Sequence, residues 1–302
     1  MFKSKNGMSR ALVRRETTAG YLFLLPSLFF FVTFVLYPMF LCIYTSFFDS
    51  NMGKNAVDVF VGLGNYKELF QDKLFLGALK NTVVIVVVAV PTVCAFALWV
   101  ATAIYDMKPA LTSAFRCIFY LPVVTGSVAV TVVWKWMYNN RYGVFNYLFK
   151  SLGIIDQNIN WLGDARFALW CIILILFTTS VGQPIVLYVS ALGNVDHSLV
   201  EAAQVDGANR RQVFWKIKWA QIMPTTLYIL IITTINSFQC FALIQLLTSG
   251  GPTHSTDTIM YYIYYTAFKL YRYGYGNAMG VVLMIIIAVL SAVQFKLGQR
   301  SD

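Results

Sequence analysis

Few side chains in this sequence are equipped for bond-making chemistry, and they are dispersed. The two histidines, His197 and His254, fall in loops expected on opposite faces of a membrane, and the five cysteines (Cys42, Cys94, Cys117, Cys171, Cys240) lack CxxC spacing. No metal site can be assembled from that set; the cysteines read as small apolar packing residues. Asp156, Asp164 and Glu68 are scattered, whereas a membrane enzyme would cluster such groups near the end of a span. No G-x-x-x-x-G-K-[ST] loop is present to cradle phosphates. The chain is therefore expected to be non-catalytic and to hold no cofactor, with any ATP and magnesium bound by a partner.

The residues with a chemical use are neutral, polar and set in long apolar runs. One cluster is Thr233, Thr234, Asn236, Ser237, Gln239 and Gln245; another is Thr178, Thr179, Ser180, Gly182 and Gln183, ahead of Pro184. An unpaired polar group inside a bilayer is costly. Such clusters either join helices to one another or hydrogen-bond a polar solute. The two readings weigh equally for a single residue; for the first cluster taken together, solute contact is favoured. Thr233 and Ser237 are four apart and share a helix face, Asn236 lies beside them, and Gln239 and Cys240 extend the stripe to about two turns. No charged residue stands within any of these runs, which argues against a proton- or sodium-coupled site.

A third constellation lies in a polar segment, with Glu201, Ala202 and Ala203 followed by Asp206, Gly207 and Ala208. Val200 to Val205 is a run of good helix formers, and its paired alanines leave one surface without bulk, so another protein can approach closely. Asp206-Gly207 is a turn signal, with glycine supplying backbone angles that a side chain resists. Val213, Phe214 and Ile217 then recur at helical spacing among Arg210, Arg211, Lys216 and Lys218, and Pro224 stands where the next span is expected to begin, a position that tolerates proline. The expectation is a compact helix-turn-helix on the cytoplasmic face, tethered rigidly to that span. An amphipathic helix lying on anionic lipid would explain the basic residues but does not require this order of small and acidic residues.

The elements that must position these residues are membrane spans. Of 302 residues, 58% are hydrophobic and 12% charged, too little charge to cover a soluble domain. Charge-free runs lie between Glu16 and Asp49, Lys80 and Asp106, Arg116 and Lys135, Arg166 and Asp196, Lys218 and Asp257, and Arg272 and Lys296. Each can hold the roughly 20 apolar residues of a span. The expected fold is an all-α polytopic membrane protein with six transmembrane helices, near Tyr21–Tyr44, Thr82–Tyr105, Cys117–Tyr138, Phe167–Ala191, Met223–Thr248 and Ala278–Gln294. The net charge of +10 sits between spans and orients the chain rather than binding nucleic acid. Lys3, Lys5, Arg10, Arg14, Arg15, Lys108, Arg116, Arg210, Arg211, Lys216, Lys218, Lys296 and Arg300 fall on one side, which places both termini in the cytoplasm. The first apolar run is too long for a signal peptide. Gly250-Gly251-Pro252 must end the fifth span, and the aromatic stretch Tyr261 to Tyr275, with Trp134, Trp136 and Tyr138, reads as an interfacial belt.

The segment 201–217 resembles the EAA loop of binding-protein-dependent ABC importer permeases, whose pattern is EAA, three residues, G, then I-x-L-P. It matches at Glu201, Ala202, Ala203, Asp206, Gly207, Ala208, Phe214 and Ile217, and departs at Trp219 and Ala220, where the family has Leu-Pro; Pro224 matches a second proline. Tyr120-Leu121-Pro122, the run Leu243 to Pro252, and Gly274-Tyr275-Gly276 resemble the sugar-importer branch, the last but one its MalF-type subunit. The resemblance spans residues 20 to 298. It implies a cytoplasmic N-terminal segment (1–19), a first transmembrane helix with its outer loop (20–76) and a permease transmembrane domain (77–298). It further implies a heterodimer with a second permease subunit, an ATPase subunit dimer that receives the EAA loops, an extracytoplasmic sugar-binding protein, and residence among the lipids of a prokaryotic cytoplasmic membrane. In the MalF-type family the fifth-span positions near Thr233, Ser237 and Cys240 contact the sugar; Asn236, Gln239 and Gln183 are added here on polarity. With no Arg or Lys inside the charge-free runs, a neutral sugar is favoured over glycerol phosphate or another polyol. A secondary transporter would call for ionisable residues in the membrane or repeated halves.

Overall fold

The computed structural model describes residues 10–50 and 58–299, with side chains from 17 to 298. Lys3, Lys5 and Arg300, and the side chains of Arg10, Arg14 and Arg15, which orient the chain by sequence, lie outside the described residues. The chain is helical almost throughout. Helix α1 (Arg10–Phe31) runs through a π-helical turn, Val32–Leu36, into α2 (Tyr37–Thr45). Two short antiparallel strands, β1 (Phe48–Asp49) and β2 (Val59–Phe60), close the loop that follows. Next come α3 (Gly64–Gln71), α4 (Lys73–Ile104), α5 (Pro109–Val124), α6 (Ser127–Met137), α7 (Val144–Ser151), α8 (Ala168–Ser180), α9 (Gly182–Gly193) and α10 (His197–Val205). Helix α11 (Arg210–Val213) passes through a second π-helical turn, Phe214–Lys218, into α12 (Trp219–Phe238); α13 (Ala242–Leu247), α14 (Ile259–Tyr264) and α15 (Tyr273–Gln299) complete the chain.

Among the described residues, five stretches are long and apolar enough to cross a bilayer: Thr17–Thr45, Lys73–Ile104, Ala168–Gly193, Arg210–Leu247 and Tyr273–Gly298. The sixth expected span, Cys117–Tyr138, is not one straight helix but the pair α5 and α6, bent by 94°. Thr125 (φ −75°, ψ 126°) and Gly126 (φ −58°, ψ 141°) are both extended at the bend. Pro122 just before it has no N–H to give the carbonyl of Ile118, and the Thr125 hydroxyl donates to the Leu121 carbonyl at 2.8 Å. Pro224 also departs from expectation. It lies inside α12 rather than at a helix start, because the π-helical turn, closed by the Trp219 N–H on the Phe214 carbonyl, carries the helix through from Arg210.

Helix α4 is the central post. Ile85, Ala89, Val93, Ala97 and Ala101 are buried at a spacing of four, a narrow stripe against which α9 and α12 pack. Helices α12 and α15 are joined by the Gln294 amide, which donates to Thr234 at 2.9 Å. Helix α2 is held to α15 by the Asn277 amide on Thr45 at 2.7 Å.

The neighbouring ends of α4, α14 and α15 are locked through Asp72. It caps α4 by accepting from the Leu74 N–H at 2.8 Å, and its other oxygen accepts from the hydroxyls of Tyr262 and Tyr275 at 2.7 and 2.9 Å. Partial burial pushes its carboxyl up, but the hydrogen bonds from Tyr262, Tyr275 and the helix N–H groups outweigh it, leaving a net downward shift. Arg272 adds a two-pronged pair with Glu68 at 2.8 Å. The aromatic stretch is thus only partly a belt: Phe268 and Tyr271 are exposed, but Tyr261, Tyr262 and Tyr275 are buried. Their hydroxyls find partners inside the protein, Tyr261 on the Ser249 carbonyl at 2.8 Å, which lets an amphipathic ring leave the interface for the core. Tyr138, in the same expected belt, is buried between the rings of Trp134 and Phe145, 5.6 and 4.9 Å away.

Candidate coupling knob and membrane cavity

The knob begins where Asp196 caps α10, accepting from the Ser198 N–H at 2.9 Å; hydrogen bonding from the Ser198 side chain and backbone holds its carboxyl below the usual range. The helix ends after Val205 because Gly207 takes φ +83°. The N–H of Gly207 then bonds the Gln204 carbonyl at 3.0 Å and that of Ala208 the Ala203 carbonyl at 2.9 Å, the paired closure of a Schellman turn. Asn209 and Gln212 cap each other reciprocally and start the next helix. Gln221, further along that helix, accepts from the Asp196 N–H at 3.1 Å. Both limbs of the knob are thereby fixed to the foot of the fifth span. Glu201, Ala202, Asp206 and Gly207 are exposed, Ala203 and Ala208 partly so. Val205 at the tip is 88% exposed.

From Arg210 the helix runs to Phe238, so the knob and the polar residues of the fifth span sit on one rod. Over the 26 steps from Arg210 to Asn236 that rod is about 39 Å long. Asn236 and Thr233 line a cavity of about 170 Å³ together with Gln183, Thr179, Ser180, Tyr228 and Val123. The elements that place them are α12, the α8–α9 junction and the end of α5. Gly182 permits this close approach: a Cβ there would run into the Phe119 carbonyl oxygen of α5. Among the described residues, the side-chain amides of Gln183 and Asn236 have no hydrogen-bond partner, although Thr179 is satisfied by the Ile175 carbonyl at 2.9 Å. The wall is neutral, and it presents open donors and acceptors at membrane depth.

The polar stripe is divided by the structure. Ser237 is 2% exposed and lines neither cavity. Helix α12 ends at Phe238, and Gln239, Cys240 and Phe241 form a break before α13. Gln239 and Cys240 therefore do not continue the stripe; they line a second cavity of about 340 Å³ with Thr125, Ser127, Val130 and Thr179. The two cavities share Val123 and Thr179. Irregular backbone at this depth is tolerated where it lines a cavity or is covered by protein, and both breaks, 125–126 and 239–241, do so. Sequence reasoning brought Gln183, Thr233 and Asn236 together but missed Tyr228, Thr125 and Ser127. Tyr228, Ile232 and Asn236 recur at a spacing of four, a signal that an aromatic and an amide share one face. Nothing in the sequence tells that the third span would bend and turn Thr125 and Ser127 toward the fifth.

A model of the family described as binding-protein-dependent transport system inner membrane component matches residues 63–301. The probable ABC transporter permease protein YesP of Bacillus subtilis is 33% identical over 288 residues, covering 94% of this chain and 91% of that one. The lactose transport system permease protein LacF of Rhizobium radiobacter is 32% identical, covering 94% and 95%. Among solved structures, a chain of a bacterial ABC transporter involved in the import of the acidic polysaccharide alginate superposes with a TM-score of 0.82 over 97% of this chain and 99% of that chain, at 24% identity, a likeness of fold.

Proposed function

The chain belongs to the family of binding-protein-dependent transport system inner membrane components, and from that premise we propose that it is one of two permease subunits of an ATP-driven importer for a neutral sugar or oligosaccharide. The second permease completes the pathway, a pair of ATPase subunits holds the ATP and magnesium, and an extracytoplasmic binding protein delivers the cargo. This subunit is not itself an enzyme. It lies in the cytoplasmic membrane of a prokaryote with both termini inside. The lactose cargo in one relative's name supports the substrate class.

The observation that carries the reading is the unbroken helix from the Gly207 knob to the cavity lined by Thr233, Asn236 and Gln183. Closure of the ATPases moves the knob; the rod transmits that movement to the cavity wall, opening it to the outside when the cargo is delivered and to the inside when the ATPases part. A phosphorylated cargo is disfavoured because neither cavity wall contains Arg or Lys. The test is uptake of radiolabelled mono- and disaccharides into proteoliposomes holding this chain with its companion permease, ATPase and binding protein. Uptake that needs ATP and all four components is expected. ATP-independent uptake by this chain alone would overturn the assignment.

A further inference from the structure

Above the membrane cavities lies a wider basin, of about 710 Å³, between the loop after α6 and the Gly250-Gly251-Pro252 turn. Its wall holds Lys135 and Arg141 together with Asn139, Asn140 and Asn160. Both cations are exposed, and among the described residues neither has an ion-pair partner. The nearby acids are engaged elsewhere: Asp164 is held by Arg166 at 2.7 Å and the buried Asp257 by His254 at 2.7 Å. The basin is also built rather than floppy. The buried Asn146 side chain donates to the carbonyls of Asn140 and Ile159 at 3.2 and 3.0 Å and accepts from the Ile159 N–H and the Trp161 indole at 3.1 and 3.0 Å. On the opposite wall, Thr248 and Thr256 bond each other at 2.8 Å, and Thr256 donates to the Gly251 carbonyl at 2.7 Å.

Two helices connect this basin to the pathway. Helix α6 puts Ser127 and Val130 on the second membrane cavity and Lys135 on the basin; α13 puts Leu243 on that cavity and Leu247 on the basin. The basin is therefore the outer mouth, and its charge changes abruptly at the membrane. An anionic cargo drawn to Lys135 and Arg141 would next meet walls with no cation, from Thr125 and Gln239 down to Gln183 and Asn236. The cations suit an anionic partner that stays outside.

We propose that Lys135 and Arg141 form an electropositive socket for carboxylate side chains on the rim of the delivering binding protein. The socket steers the two proteins together and sets their register, without touching the cargo. Exposed charge pairs of this kind act mainly on encounter and are weakened by salt. The proposal rests on the importer reading above.

The experiment uses the complete complex in nanodiscs with its cognate binding protein, and reads ATP hydrolysis as the binding protein is titrated at low and high salt. The double reversal K135E/R141E is expected to raise the half-stimulating concentration of binding protein roughly five- to tenfold, leave the maximal rate unchanged and flatten the salt dependence. Co-purification of the ATPase checks assembly; if the reversal fails to assemble, the single changes Lys135→Gln and Arg141→Gln carry the same test with a smaller shift. An unchanged half-stimulating concentration would overturn the proposal. So would competition by free galacturonate but not by glucose, which would assign the basin to acidic saccharides. A wild-type complex that no binding protein stimulates would sink the importer reading instead.

Discussion

Gly207 and Asn236 illustrate two ways in which the proposed function would rest on one residue. At Gly207 the surroundings are open, since an added Cβ would have nothing within 4 Å. What resists substitution is the backbone, held at φ +83°, where a side chain costs about 1–2 kcal/mol. Asparagine visits that region more readily than valine. Gly207→Asn should keep most uptake and ATPase co-purification, whereas Gly207→Val should lose both; equal behaviour of the two would refute the turn's role. Asn236 is limited by chemistry. Its unpartnered amide faces the cavity, and loss of one hydrogen bond to a bound sugar is worth about 0.5–1.5 kcal/mol, or a few-fold to tenfold in apparent affinity. Asn236→Ala should weaken uptake by that factor at normal expression. In cysteine-substituted chains, a water-soluble thiol reagent should modify position 236 and spare position 237, whose side chain is turned into the protein. The reverse pattern would mean that the stripe faces the other way.

At the scale of elements, the rod and the lock make separate predictions. If α11 and α12 transmit movement because they are continuous, two glycines inserted between Val213 and Phe214 should leave the ATPase docked but lower the sugar transported per ATP hydrolysed. An unchanged ratio would show that the knob does not push through this helix. The lock at Asp72 should respond to acid. Its carboxyl sits below the ordinary carboxylate value in the folded chain, so its charged form contributes stability at neutral pH. That contribution fades as the pH falls from about 4 through the lowered value. Thermal unfolding in detergent between pH 7 and 3 should show wild type losing stability at the acid end relative to Asp72→Asn, which starts lower and stays flatter. Parallel curves would remove Asp72 from the lock.

Across the whole molecule, the sequence made legible whatever depends on length and charge: six charge-free runs, and a knob signalled by small and turn-forming residues. It made less legible what depends on direction. Pro122 and Gly126 announce a weak point in the third span but not a 94° bend. An aromatic-rich segment suits an interface and a core equally, and only the partners of Tyr261, Tyr262 and Tyr275 decide between them. Ser237 and Asn236 differ by one step of about 100° around a helix, enough to separate a buried residue from a cavity wall. The knob has a consequence for interchange between transport systems. Its turn is closed by main-chain groups of Ala203, Gln204, Gly207 and Ala208, so its shape does not depend on the outward side chains. If the knob docks on an ATPase, as proposed, identity and shape are uncoupled: Glu201, Val205 and Asp206 can drift to suit a different ATPase while the socket-fitting form is kept. Grafting residues 196–209 into a related permease should move its ATPase preference toward this chain's partner, measured by pull-down against both ATPases, and an unmoved preference would place pairing identity elsewhere. A permease of this kind would then change its motor by substitutions at the surface alone, without rebuilding the knob.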